Sequence, residues 1–237
     1  IMGIGLYGLT YLYPVDLARV RGYSALMIGE TMFVTGLCMF FAAPIVGRLM
    51  TRVDPRWMMA AGFLGFGLGT WQASHITRDW DFYELLLPQI LRGFSLMACM
   101  VPINNLALGT LPAQQLKNAS ALYNLTRNLG GAVGLAAINT LLNARWDLHI
   151  ARLHESVSWG RTAPEEMLQR LTQGFASLGS DAALAATKQL SLIARREALV
   201  MEMGDVFAVL TLLFFALVVM VPMMRRPSQP GRAADAH

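Results

Sequence analysis

The chain has 237 residues, of which 55% are hydrophobic and only 14% charged, with a net charge of +4 and a mean hydropathy of +0.45. Soluble domains are about a quarter charged, so this composition argues against an ordinary soluble enzyme. The basic residues sit at the ends of apolar runs and form no stripe, which removes the case for nucleic acid as a partner.

Residues 1–15 are apolar but reach only about 22 Å as a helix. The chain also opens on Ile1 without a polar lead-in, so a truncated first span over about 1–16 is expected, with the natural protein continuing upstream. The second span, 26–48, holds a single charge, Glu30, ahead of Arg48 at its end. Burial near the outer membrane surface would favour its neutral form and suit proton coupling; the competing reading is a carboxylate at the membrane edge that reaches water. Cys38 in this span and Cys99 in the fourth are expected to be buried thiols, because a disulfide framework needs paired cysteines outside the membrane. The third span, 57–77, carries no Asp, Glu, Lys or Arg. Its Gly65, Gly67 and Gly69 lack the lysine and preceding strand of a phosphate loop and are expected to pack helices.

In the fourth span, 84–109, the only mid-span charge is Arg92. Gln89, Arg92, Ser95 and Cys99 recur at three- or four-residue steps, with Asn104 and Asn105 beyond Pro102. Pro88 and Pro102 free carbonyls that protein or water must satisfy. Such a span suits either a translocation pathway or a tightly packed bundle.

The fifth span, 118–143, is the most polar. An arginine near a helix centre costs about 2.5–3.5 kcal/mol on insertion scales, and Leu, Ile, Phe and Val each return about 0.3–0.6. Arg127 therefore cancels most of the apolar gain before Asn124 and Asn128 are counted. At about 100° per residue, Ser120, Asn124, Arg127, Gly131 and Gly134 share one stripe, which must face other helices or a wet cavity. Arg127 is then either part of a substrate or proton path or a structural brace. Gly130-x-x-x-Gly134 resembles a close-packing motif.

Residues 144–203 balance seven basic against seven acidic side chains and are not a span. Thr162-Ala-Pro-Glu165 reads as a helix start, and Leu168, Leu171 and Phe175 as one amphipathic face. This insert is expected to be a helical hairpin lying on the membrane or on its own spans, or a docking surface for a partner. The last span is 205–224, followed by a basic tail, 225–237. No metal site or nucleophilic triad emerges, and His149 and His154 are read as solvated. Neither an enzyme nor a cofactor is indicated.

The connections 48–56, 109–118 and the tail sum to +5, whereas the opposite set sums to −1. Positive loops stay inside, so the tail is expected in the cytoplasm and the insert outside. The expected class is an all-α polytopic membrane protein: spans one to five over 1–143, the insert over 144–203, and the final span over 204–224.

The strings GYSA (Gly22–Ala25), GETMFVTGLCMFFAAPIVGRLMTRVDPR, LLLPQILRGFSL and TLPAQQLKNASALYNLTRNLGGAVGLA resemble the 14-span drug:proton antiporters of the major facilitator superfamily, EmrB/QacA type. The likeness covers essentially the whole chain and corresponds to the C-terminal six-helix bundle. The resemblance implies half of a rocker-switch exporter that works with an N-terminal half in the bacterial inner membrane. It would move small lipophilic compounds against protons, with a periplasmic adaptor and an outer-membrane channel as partners. The superfamily's cytoplasmic-loop gating motif is matched by Gly47, Leu49, Arg52 and Arg56 beside Arg48. Thr51 stands at its acidic position and Asp54 at its second glycine, which puts the motif's ion pair in doubt. The resemblance assigns Glu30 no role.

Overall fold

A computed structural model describes residues 3–75, 77, 80, 82–109, 111–156 and 162–223; the basic tail and the 78–81 turn charges Arg78, Asp79 and Asp81 lie outside them. Among the described residues there is helix and no strand. A π-helical turn, Ile4–Gly8, leads into α1 (Leu9–Arg19). There follow α2 (Ala25–Leu49), α3 (Pro55–Ser74), α4 (Phe82–Leu108), α5 (Ala113–Ser156), α6 (Thr162–Gly174) and α7 (Ala182–Met220). Among the described residues, three segments are long and apolar enough to cross a bilayer: Ala25–Leu49, Phe82–Leu108 and Gly179–Met223.

Local chemistry sets the helix starts. Gly22 takes φ 68°, the left-handed turn that separates α1 from α2. The Ser24 side chain then accepts from the Met27 N–H at 3.4 Å, and Asp54 caps α3 ahead of Pro55 in its first turn.

The core gathers around α1. Leu9, Leu12, Tyr13 and Leu17 are buried against Phe63 and Phe66 of α3, Leu96 of α4, Ile138 of α5, and Phe207 and Phe214 of α7. Helices α3 and α4 approach closely because a Cβ on Gly62 or Gly65 would collide with Cys99 or Ser95. The 65–69 glycine run is thus packing surface, as expected. Helices α3 and α7 run antiparallel: Gly204 meets Ser74, Thr211 Oγ1 donates to Thr70 Oγ1 at 2.9 Å, and Phe66 stacks on Phe214 with centroids 5.0 Å apart. From residue 204 to 221 the rise is about 26 Å, close to a bilayer's hydrocarbon thickness.

Two differences from the sequence reading stand out. First, α1 continues to Arg19, past the expected end of the first span near residue 16, and places Asp16 within the helix. It is fully buried and paired with Arg21 at 3.5 Å, with side chains 1% and 3% exposed. Arg21 Nη2 also donates to the Thr77 carbonyl at 3.2 Å, tying the α1 end to the α3 end. Burial of the pair comes from packing that hydropathy does not register. Second, the insert is continuous with two of the long helices. Helix α5 runs 44 residues without a break and α7 runs 39, about 66 and 58 Å at 1.5 Å per residue. Both leave the bundle at one end as a stalk, and α6 packs on α7 with Leu168, Leu171 and Phe175 half-buried. At the stalk base Asp205 of α7 bonds His149 at 2.8 Å and lies 3.7 Å from Arg145, both of α5. His149 is therefore a partnered side chain, 13% exposed, and not a solvated one.

Candidate polar translocation face

The first helix and α5 run parallel and nearly touch. A Cβ on Gly3 would meet the Arg127 carbonyl, one on Gly131 would strike the Tyr7 ring, and one on Gly134 would strike Ile4. Gly130 faces open space, so the close-packing pair is Gly131/Gly134 rather than the Gly130-x-x-x-Gly134 motif. The reason is register: the packed face of α5 centres on Arg127, Gly131, Gly134 and Ile138, at steps of three and four.

The opposite face of α5 is apolar and exposed, through Leu122, Leu125, Leu129 and Val133. Between the two faces runs a polar edge. Asn124 and Asn128 are exposed on it and Asn139 is half-buried. The first helix supplies the matching groups: Tyr7 Oη donates to Asn128 Oδ1 at 2.7 Å, and Tyr11 Oη donates to Asn139 Oδ1 at 2.9 Å. Tyr7, Thr10 and Tyr11 recur at three- and four-residue steps, a signal present in the sequence that hydropathy alone passes over.

Helix α4 supplies the other border. Arg92 is 6% exposed; its Nη2 donates to Thr10 Oγ1 at 2.8 Å, its Nη1 to Gln89 Oε1 at 3.3 Å, and its guanidinium lies 5.4 Å from the Tyr13 ring centroid. Gln89 is fully buried and its Oε1 also accepts from Thr35 of α2. Arg92 thus joins α1, α2 and α4 while its outermost partner, Thr10, is exposed. Amide and hydroxyl groups of the first helix and α5, backed by the buried Arg92 and Gln89 of α4, form a polar surface that an apolar solvent could not satisfy.

Arg127 stands apart from this surface. It is half-buried on the packed side, 5.8 Å from the Tyr123 ring centroid, and its buried Nε meets no acceptor. Ser120 is half-buried two turns earlier on α5. The structure therefore splits the expected stripe: Asn124 faces outward, while Arg127, Gly131 and Gly134 face neighbouring helices. Asn104 is half-buried with an unpartnered Oδ1, and Asn105 is exposed. Glu30 is exposed on α2, away from the polar groups of α1 and α5 just described.

Comparison with known proteins agrees with this architecture. The model of the Major Facilitator Superfamily matches residues 1–151. The chain belongs to that superfamily. It is 34% identical to the colistin resistance protein EmrB of Acinetobacter baumannii over 226 residues, 95% of this chain and 44% of the relative. It is 29% identical to the multidrug export protein EmrB of Escherichia coli K12, over 89% of this chain and 42% of the relative. With the fatty acid resistance protein FarB of Neisseria gonorrhoeae it shares 24% identity over 97% of this chain and 45% of the relative. The chain spans less than half the length of these curated relatives. As a Major Facilitator member with EmrB-type relatives, it is a multi-pass protein of the bacterial inner membrane.

The residues expected to form the superfamily's loop motif lie at the end of the bundle away from the stalk. Gly47, Arg48 and Arg52 are exposed there. Asp54 Oδ1 accepts from the Arg56 backbone N–H at 3.1 Å, so this carboxylate serves as a helix cap. The guanidinium of Arg56 makes no bond to it: Nε and Nη2 are buried without an acceptor.

Proposed function

We propose that this chain is the C-terminal half of a proton-coupled exporter of small lipophilic compounds, working by rocker-switch alternating access. The observation that carries the proposal is the polar face built by Tyr7, Thr10, Arg92, Asn124 and Asn128. A membrane helix pair keeps such a face only where protein or water covers it, and a second six-helix half across an aqueous cavity would do so. The names of the relatives, which refer to multidrug export and to colistin and fatty acid resistance, support a lipophilic or amphipathic cargo. Arg127 is then a brace behind the face, and Glu30 a membrane-edge carboxylate. The charge asymmetry of the loops supports a cytoplasmic C-terminus and a periplasmic stalk, which would be the contact for an adaptor leading to an outer-membrane channel.

Cysteine accessibility in the full-length transporter tests this reading. With Cys38 and Cys99 replaced by Ser, single cysteines at 124 and 128 should react with a water-soluble maleimide and be protected by substrate, while one at 125 should not react. Positions 124 and 128 as inert as 125, in every condition that supports transport, would refute the aqueous face.

A further inference from the structure

Where the stalk joins the bundle, α7 buries an acid that nothing bonds. Glu202 is 3% exposed, and among the described residues it forms no hydrogen bond and no ion pair. We propose that Glu202 is a proton-binding site at the stalk end of the bundle, a carboxyl that takes a proton from the surrounding water and returns it there. The inference does not depend on the transport reading, because it concerns the bound proton and not the cargo.

Solvation sets the preference for a proton. A carboxylate held out of water without donors is costly, and the neutral carboxyl is the form such a site tolerates. Access is narrow but open: unlike Oδ1 of Asp16, the Glu202 oxygens are not among the unpartnered atoms sealed from water. Position keeps that water outside the hydrocarbon. Glu202 precedes the 204–221 stretch that crosses the bilayer, next to Gly204, where α7 meets Ser74 of α3. Farther up α7, Arg196 Nε donates to the Val20 carbonyl at the end of α1 at 3.0 Å, so Glu202 lies in the seam between α7 and the ends of α1 and α3.

The other charges at this end are already engaged. Arg21 holds Asp16, Arg145 and His149 of α5 hold Asp205, and Nδ1 of His75, after α3, lies 2.9 Å from the Trp71 carbonyl. Arg19 of α1, itself exposed, is the cation whose field reaches Glu202. Burial pushes the Glu202 carboxyl from its ordinary 4.5 up to about 7, with Arg19 opposing the rise. When ionised it attracts Arg19; when protonated it does not. Thr10 and Tyr11 of the polar face stand on the same helix as Arg19.

The test titrates the intact two-half transporter across the neutral range by infrared difference spectroscopy, with thermal melts in parallel. The wild type should show the carbonyl band of a neutral carboxyl, fading with a midpoint of about 7; Glu202→Gln should lack that band and Glu202→Asp should restore one. Arg19→Gln, a change at an exposed position, keeps the test open if Glu202→Gln fails to fold, and should hold the proton several-fold more tightly. The stability contributed by Glu202 is fully present below about 4.5 and is lost as pH rises through about 7. The wild-type melting temperature should therefore fall across that window relative to Glu202→Gln. A band that survives in Glu202→Gln unchanged, a midpoint in the ordinary carboxylate range, or an unaltered proton affinity in Arg19→Gln overturns the inference.

Discussion

Replacing Arg92 by Met separates a working cation from a structural one. An arginine near the centre of a membrane helix costs about 2.5–3.5 kcal/mol. Against that, the bonds to Thr10 and Gln89 return about 0.6 kcal/mol each, and the contact with Tyr13 up to about 2 kcal/mol in a desolvated site. The two sides agree to about 1 kcal/mol. The substitution also orphans nothing: Thr10 keeps its bond to the Leu6 carbonyl at 2.6 Å, and Gln89 keeps Thr35. Arg92→Met should therefore shift the stability of the full-length protein by no more than about 1 kcal/mol, or about 4 °C in melting temperature for a unit of this size. Efflux, measured as accumulation of a fluorescent lipophilic substrate at matched membrane abundance, should fall at least about tenfold, equivalent to about 1.4 kcal/mol. A melting temperature lowered by 10 °C or more would mark Arg92 as a brace. Unchanged efflux would remove it from the pathway. Either result defeats the reasoning.

Other perturbations have clear signs. Gly134→Leu drives a side chain into Ile4 and should destabilise by about 1–3 kcal/mol, whereas Gly130→Ala, facing open space, should be neutral or slightly stabilising; thermal melts of the two variants side by side check the register of α5 on the first helix. Arg21→Gln leaves the Asp16 carboxylate buried without its partner and should cost about 3–5 kcal/mol, with Asp16→Asn/Arg21→Gln recovering part of the loss in the same assay. Asp205→Asn weakens half-exposed pairs with Arg145 and His149 at the stalk base, so global stability should drop by about 1 kcal/mol. Hydrogen exchange, however, should speed up at the stalk base.

Much of this fold was legible from the apolar runs, because a bilayer permits few alternatives to helices of about 20 residues. The sequence motifs also pointed correctly to the superfamily. The polarity of α5 was legible too, but its direction was not. A stripe defined by composition merges residues some tens of degrees apart, and only the partner helix decides which of them it covers. Arg127 and Asn124 fall on either side of that boundary. The length of α1 was not legible, because a charge at the end of an apolar run looks like the end of the helix until a buried Arg21 is found beside Asp16. The stalk was missed for the opposite reason. Charged residues at helical spacing mark the end of a membrane span, but nothing in them marks the end of the helix.

That last feature has a mechanical meaning. Because α5 and α7 pass from the bundle into the stalk without a joint, the stalk cannot stay still while its base rotates. Its tip stands about 30 Å above the point where the helices leave the bundle. A bundle tilt of about 10° would then swing the tip by about 5 Å, a pointer whose travel reports the orientation of the membrane half to whatever touches it.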